Sequence, residues 1–202
     1  FRARRIENGR KFAHSDMTSP DPEKVQIGEG RFNHFGQSHF YLARTKQGAA
    51  TEMLIGTDEK IVWLQDVLLN RAVNILDIRV GHFPEPDPDA PLIAMGLIFF
   101  SDALNLSVAR NKYWKPEYFV PRFVADAAKQ AGFNGILYSN SSGRDFFGSY
   151  QNLVIFDKSK IEYEFINEPY LFDIEDQSNG KDEKDSPIPS FLEIEDEDDW
   201  DW

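Results

Sequence analysis

The apolar positions along the chain change spacing several times, and each change predicts a different element. Residues 1–6, FRARRI, read as a strand. A polar stretch rich in Pro, Asp and Ser follows up to Gly30 and predicts an ordered loop or flap rather than a linker. HFYLA predicts a short buried strand over residues 40–43. Thr45 is then placed to cap a helix that carries Ala49, Ala50, Met53 and Leu54 and ends near Gly56. IVWLQDVLL and AVNILDIRV, separated by Asn70 and Arg71, have β-like composition and predict a hairpin.

The middle of the chain switches period. PDPDAPLIAMGLIFFSDAL opens on prolines and continues as an apolar helical stretch, with Pro91 near its first turn. PEYFVPRFVADAAKQAGF is the clearest amphipathic helix: Phe119, Phe123, Ala127 and Ala128 are expected on one face, and Gly132 ends it. NGILYS then predicts a buried strand, and NLVIFD and IEYEFI predict two more, joined around Lys158. Strands at both ends with helices between them predict an α+β domain.

At 202 residues, 41% hydrophobic and 14% aromatic, the chain can bury one sizeable core. Its net charge of -12 is concentrated at one end: from Asp173 onward lie 13 of the 34 acids and only 2 of the 22 bases, a charge of -11. Two regions are therefore expected, a nearly neutral body over residues 1–172 and an acidic tail over 173–202. That charge density predicts disorder, whereas Ile188, Phe191, Leu192, Ile194, Trp200 and Trp202 predict that part of the tail docks. A neutral body argues against nucleic-acid binding, which needs a basic face. FRARRIENGRK is a local exception, read as a terminal strand with solvated arginines.

The absence of cysteine excludes a disulfide framework and a thiol nucleophile, and with the absence of a signal-peptide pattern it leads us to expect a cytoplasmic protein. LIAMGLIFF is far short of the about 20 apolar residues that span a bilayer. The familiar motifs fail. GEG at residues 28–30 has Asn33 where a dinucleotide fingerprint needs its third glycine. No phosphate-loop or serine-elbow pattern occurs, and the four histidines lack metal-ligand spacing.

What survives is a cation, a ring and an anion about ten residues apart: Arg31 in GRFN, Tyr41 in FYLA and Glu52 in AATE, with Ser139 in GILYSNSSGRDFF. Singly, each has an ordinary structural reading: a loop cation, a core aromatic, a solvent-facing helix carboxylate and a strand-ending hydroxyl. Together, in this order, they resemble the RES domain family, named for its Arg, Glu and Ser. FRARR is similar to that family's opening strand, and VADAAKQAGFNGILYSNSS followed by QNLVIFD to its second signature. The resemblance runs over residues 1–157.

The resemblance implies a compact fold similar to ADP-ribosyltransferases, with central β-sheets and flanking helices, and NAD+ as substrate without a further cofactor. RES proteins are bacterial toxins that break the bond between nicotinamide and ribose, and many are held inactive by a helix-turn-helix antitoxin protein. The polar stretch before Gly30 resembles the longer, free-standing members; the acidic tail has no counterpart in the pattern. Carried onto this chain, the resemblance makes Glu52 the carboxylate beside C1', Arg31 the pyrophosphate ligand, Tyr41 a platform for the nicotinamide ring, and Ser139 a hydrogen-bonding partner of ribose or phosphate. Arg144, Tyr138 and Asn152 are expected as supporting or substrate-binding groups. Three readings stay open: an NAD+ glycohydrolase or phosphorylase, an ADP-ribosyltransferase acting on a macromolecule, and an inactive interaction protein. The tail adds a further expectation, that a tethered polyanion competes with NAD+ at Arg31.

Overall fold

A computed structural model describes residues 1–7, 9–70, 73–79, 115–145 and 148–176, with backbone only at 140–145 and 148–149. The fold is α+β. One three-stranded sheet runs in the order β1 (Arg2–Arg5), β3 (Ile61–Gln65), β9 (Tyr170–Asp173). A four-stranded sheet runs β2 (Phe40–Ala43), β7 (Gly148–Ile155), β6 (Gly135–Asp145), β5 (Ile75–Asp77). A two-stranded ribbon pairs β4 (Val67–Leu69) with β8 (Tyr163–Phe165). The helices are α1 (His14–Met17), α2 (Lys46–Leu54) and α3 (Phe119–Gln130), the last entered through a 3-10 turn at Pro116–Tyr118.

Strand parity distributes side chains between the two faces of the four-stranded sheet. On β2, Phe40 and Leu42 join Ile155 and Ile161 in a core on one side. Tyr41 faces the other side, against a core of Phe32, Ile136, Tyr138 and Val154 that α3 covers with Ala125 and Ala128. Helix α2 begins as predicted: the Thr45 hydroxyl accepts from the Gly48 amide at 3.0 Å. A methyl group at Gly48 would sit 3.2 Å from Tyr150 Cβ, so glycine lets the helix press onto β7. Its buried Ala49, Ala50 and Leu54 share a core with Ala3, Val62, Leu64 and Phe172 of the three-stranded sheet.

Several expectations are corrected. The predicted hairpin does not form. The first run breaks at Asp66, whose carboxylate accepts from the Tyr170 hydroxyl at 2.8 Å, and its halves join different sheets. The strand β5 instead lies parallel to β6. The face of α3 is also turned. Pro121, Ala125 and Ala128 are buried, because small residues let the helix sit close to the sheet, whereas Phe119 and Phe123 are 75% and 68% exposed. The arginines of β1 are not simply solvated: each guanidinium reaches a backbone carbonyl, Arg2 that of Tyr41, Arg4 that of Asp16 and Arg5 that of Met53. Strand β9 and helix α1 were not anticipated. Phe12 and Met17 anchor the polar stretch beside Trp63, which makes it an ordered loop. The apolar segment at 91–104 and the tail beyond residue 176, with its proposed competition at Arg31, lie outside the described residues.

Candidate active site

A cavity of about 320 Å³ opens between the two larger sheets and the loop over residues 28–33, at the small end for ligand pockets. Arg31, Tyr41, Glu52, Tyr138 and Asn152 all line it. The sheet register accounts for one wall. Asn152 on β7 stands opposite both Ala43 on β2 and Tyr138 on β6, so the three form one row across one face. Helix α2 lays Glu52 over this row, where Asn152 Nδ2 donates to Glu52 Oε2 at 3.4 Å. The same bond orients the amide, because a carboxylate accepts and does not donate. Asn152 is buried, and its Oδ1 has no hydrogen-bond partner among the described residues. An acceptor stranded in this way calls for a donor from a ligand or water.

The opposite wall is the loop. Tyr41 donates its hydroxyl to Asn33 Oδ1 at 2.9 Å and accepts from the Phe32 amide at 3.3 Å, while Asn33 Nδ2 donates to the carbonyls of Gly28 and His34. This knot ties the residues flanking Arg31 to strand β2. It also demands glycine at position 30, where a Cβ would lie 2.1 Å from Asn33 Oδ1. The Tyr41 hydroxyl is thus committed to the protein, which leaves its ring for the cavity. Arg31 holds its guanidinium carbon 5.5 Å from the centre of the Tyr138 ring.

Burial raises the Tyr41 phenol above the usual range. Burial and, after it, the Glu52 charge do the same to Tyr138. Both rings therefore face the cavity as neutral phenols. Arg2, which sequence reasoning passed over, lines the same cavity. Its Nη1 donates to the Tyr41 carbonyl at 2.8 Å, while its buried Nε has no partner among the described residues. Desolvation lowers its pKa to about 10, so it remains cationic at neutral pH. Lys115, Tyr118 and Glu29 complete the rim. The described lining carries three cations, Arg2, Arg31 and Lys115, against two carboxylates, Glu29 and Glu52.

One expected residue, Ser139, is not brought in. Ser139 pairs with Gln151, one step along both strands from the Tyr138–Asn152 row, so parity sends it to the other face, and it does not line the cavity. On that face Gln151 Oε1 accepts from Arg44 and from Arg79. The side chain of Arg144 lies outside the description. No group of metal-ligating side chains occurs among the described residues, and none of their helices is long and apolar enough to cross a membrane.

A family model, the RES domain, matches residues 2–173. The chain belongs to the RES domain family. No curated protein matches it.

Proposed function

We propose that this protein cleaves the bond between nicotinamide and ribose in NAD+ and so degrades the dinucleotide, as a toxin of the RES type. One observation carries the reading: in a RES-family chain, a carboxylate, an excess of cations and neutral phenol rings converge on a single cavity.

Breaking the N1–C1' bond sends its electron pair to the ring nitrogen, so nicotinamide leaves as a neutral base and positive charge grows on the ribose. A carboxylate fixed beside C1' lowers this barrier because its attraction strengthens as that charge develops. Glu52 takes this role, oriented by Asn152. Asn152 Oδ1, which has no partner among the described residues, accepts from a ribose hydroxyl. Arg31 and Arg2 hold the pyrophosphate, Arg31 through a planar fork suited to phosphate oxygens. The ring of Tyr41 packs on the cationic nicotinamide, a contact worth about 0.5–2 kcal/mol. Water then adds at C1' and gives up a proton, or phosphate takes its place.

Incubation of the purified protein with NAD+, with and without phosphate, tests this through the products. The reading expects free nicotinamide together with ADP-ribose, or its 1''-phosphorylated form when phosphate is the acceptor. A labelled macromolecule would move the activity to ADP-ribosyl transfer, and intact NAD+ after long incubation would overturn the reading. Co-expression with any helix-turn-helix protein found encoded beside it tests for an antitoxin partner by relief of growth arrest.

A further inference from the structure

The first turn of α3 reaches across to the loop that bears Arg31. Arg122 Nη2 donates to Glu29 Oε2 at 3.0 Å, and its Nε donates to the Gly30 carbonyl at 3.3 Å. Its guanidinium carbon lies 5.8 Å from the centre of the Tyr118 ring. One side chain thus binds both residues that precede Arg31. The Arg122 side chain is only 11% exposed and that of Glu29 34%, so solvent screens the pair less than an ordinary surface bridge. Glu29, Gly30, Arg31 and Tyr118 all line the cavity, whereas Arg122 does not.

We propose that Arg122 is a positioning residue that keeps the Glu29 carboxylate from competing with substrate phosphate for Arg31, and that holds the Arg31 loop at its working height. Glu29 is an anion on the rim of a pocket read as binding a pyrophosphate. It lies two residues before the guanidinium that would hold that pyrophosphate. Paired with Arg122 it is neutralised and directed toward α3. Released, it is a tethered carboxylate beside Arg31, at a concentration no free anion matches. The Gly30 carbonyl, fixed by the same fork, sets where the chain turns into Arg31. Lysine cannot replace this geometry, because it lacks the planar pair of donors.

The inference rests on the proposed NAD+ reading, and its test separates the two. Arg122→Met is predicted to raise KM for NAD+ about tenfold with kcat nearly unchanged, the size expected when one charge-assisted hydrogen bond is lost. Adding Glu29→Gln removes the competing charge and is predicted to recover most of that KM, the remainder being the share of the Gly30 carbonyl. A merely structural Arg122 predicts the opposite: the double variant would be no better than the single one, and KM would follow the melting temperature. That result, or an unchanged KM in Arg122→Met, overturns the proposal. Should the wild-type protein leave NAD+ intact, the functional reading falls, and amide hydrogen exchange over residues 28–33 judges the clamp. Faster exchange in Arg122→Met retains its positioning role, and equal exchange removes it.

Discussion

The two walls of the cavity are held by different physics. Tyr138, Asn152 and Glu52 stand on paired strands and on a capped helix, where ladder register and close packing fix their places. Arg31 stands on a loop whose shape depends on side chains: the Asn33–Tyr41 knot below it and the Arg122 fork beside it. Groups on regular elements resist displacement, whereas a loop held by a few hydrogen bonds moves when one is lost. In the proposed reaction, the wall built from regular elements carries the carboxylate that stabilises the breaking bond, and the loop carries the guanidinium that holds the substrate. Damage to the first wall should fall on kcat and damage to the second on KM.

The largest effect separates them most sharply. Glu52→Ala is predicted to lower kcat by about 10²–10³, comparable to removing a preorganised charge in other active sites. Steady-state nicotinamide release measures this, and a kcat within a few fold of wild type would strip Glu52 of its role. On the loop side, Gly30→Ala places a Cβ where Asn33 Oδ1 now sits, so the knot must open. The prediction is a KM raised at least tenfold, from about 1–3 kcal/mol of overpacking, with kcat affected less. An unchanged KM would show that the loop does not set Arg31.

Arg2 tests whether the loop acts alone. Among the described residues its buried guanidinium has a carbonyl partner and an Nε without one, which costs stability unless an anion arrives. Arg2→Met should therefore leave the melting temperature equal or higher while kcat/KM falls about tenfold, the trade expected of a site residue. A fall in both would make Arg2 structural. The smallest effect is on alkaline stability and draws on one ring from each wall. Tyr41 and Tyr138 have folded pKa values above the ordinary 10.0, so beyond that pH the unfolded chain releases protons that the folded protein keeps. Stability held below pH 10 is then lost as pH rises, and phenolate absorbance from these rings should appear only with unfolding. Early, reversible ionisation of both phenols in the folded protein would contradict their burial.

How much could be read from the chain follows the range of the interactions involved. The limits of β2 and the Thr45 cap are local, set by a few adjacent residues, and they match the structure. The grouping of Arg31, Tyr41 and Glu52 came from an ordered pattern, and those three residues line one cavity. The pairing of β5 with β6 joins segments 60 residues apart at Ile75 and Gly135, and no local spacing announces it. The α3 face was misread because phenylalanine was weighed above alanine, although close helix–sheet contact favours the smaller residue. Ser139 shows the cost of parity: one residue along β6 separates the cavity face from its reverse. Arg2 was hidden among arginines whose carbonyl partners come from distant segments, and Arg122 by a partner 93 residues away.

Calorimetric titration of NAD+ into Glu52→Gln, with Arg31 intact and then replaced by alanine, tests the convergence most directly. The account predicts that Glu52→Gln binds NAD+ without consuming it, and that adding Arg31→Ala abolishes the binding heat. Undiminished binding after Arg31→Ala would place the dinucleotide somewhere other than this cavity.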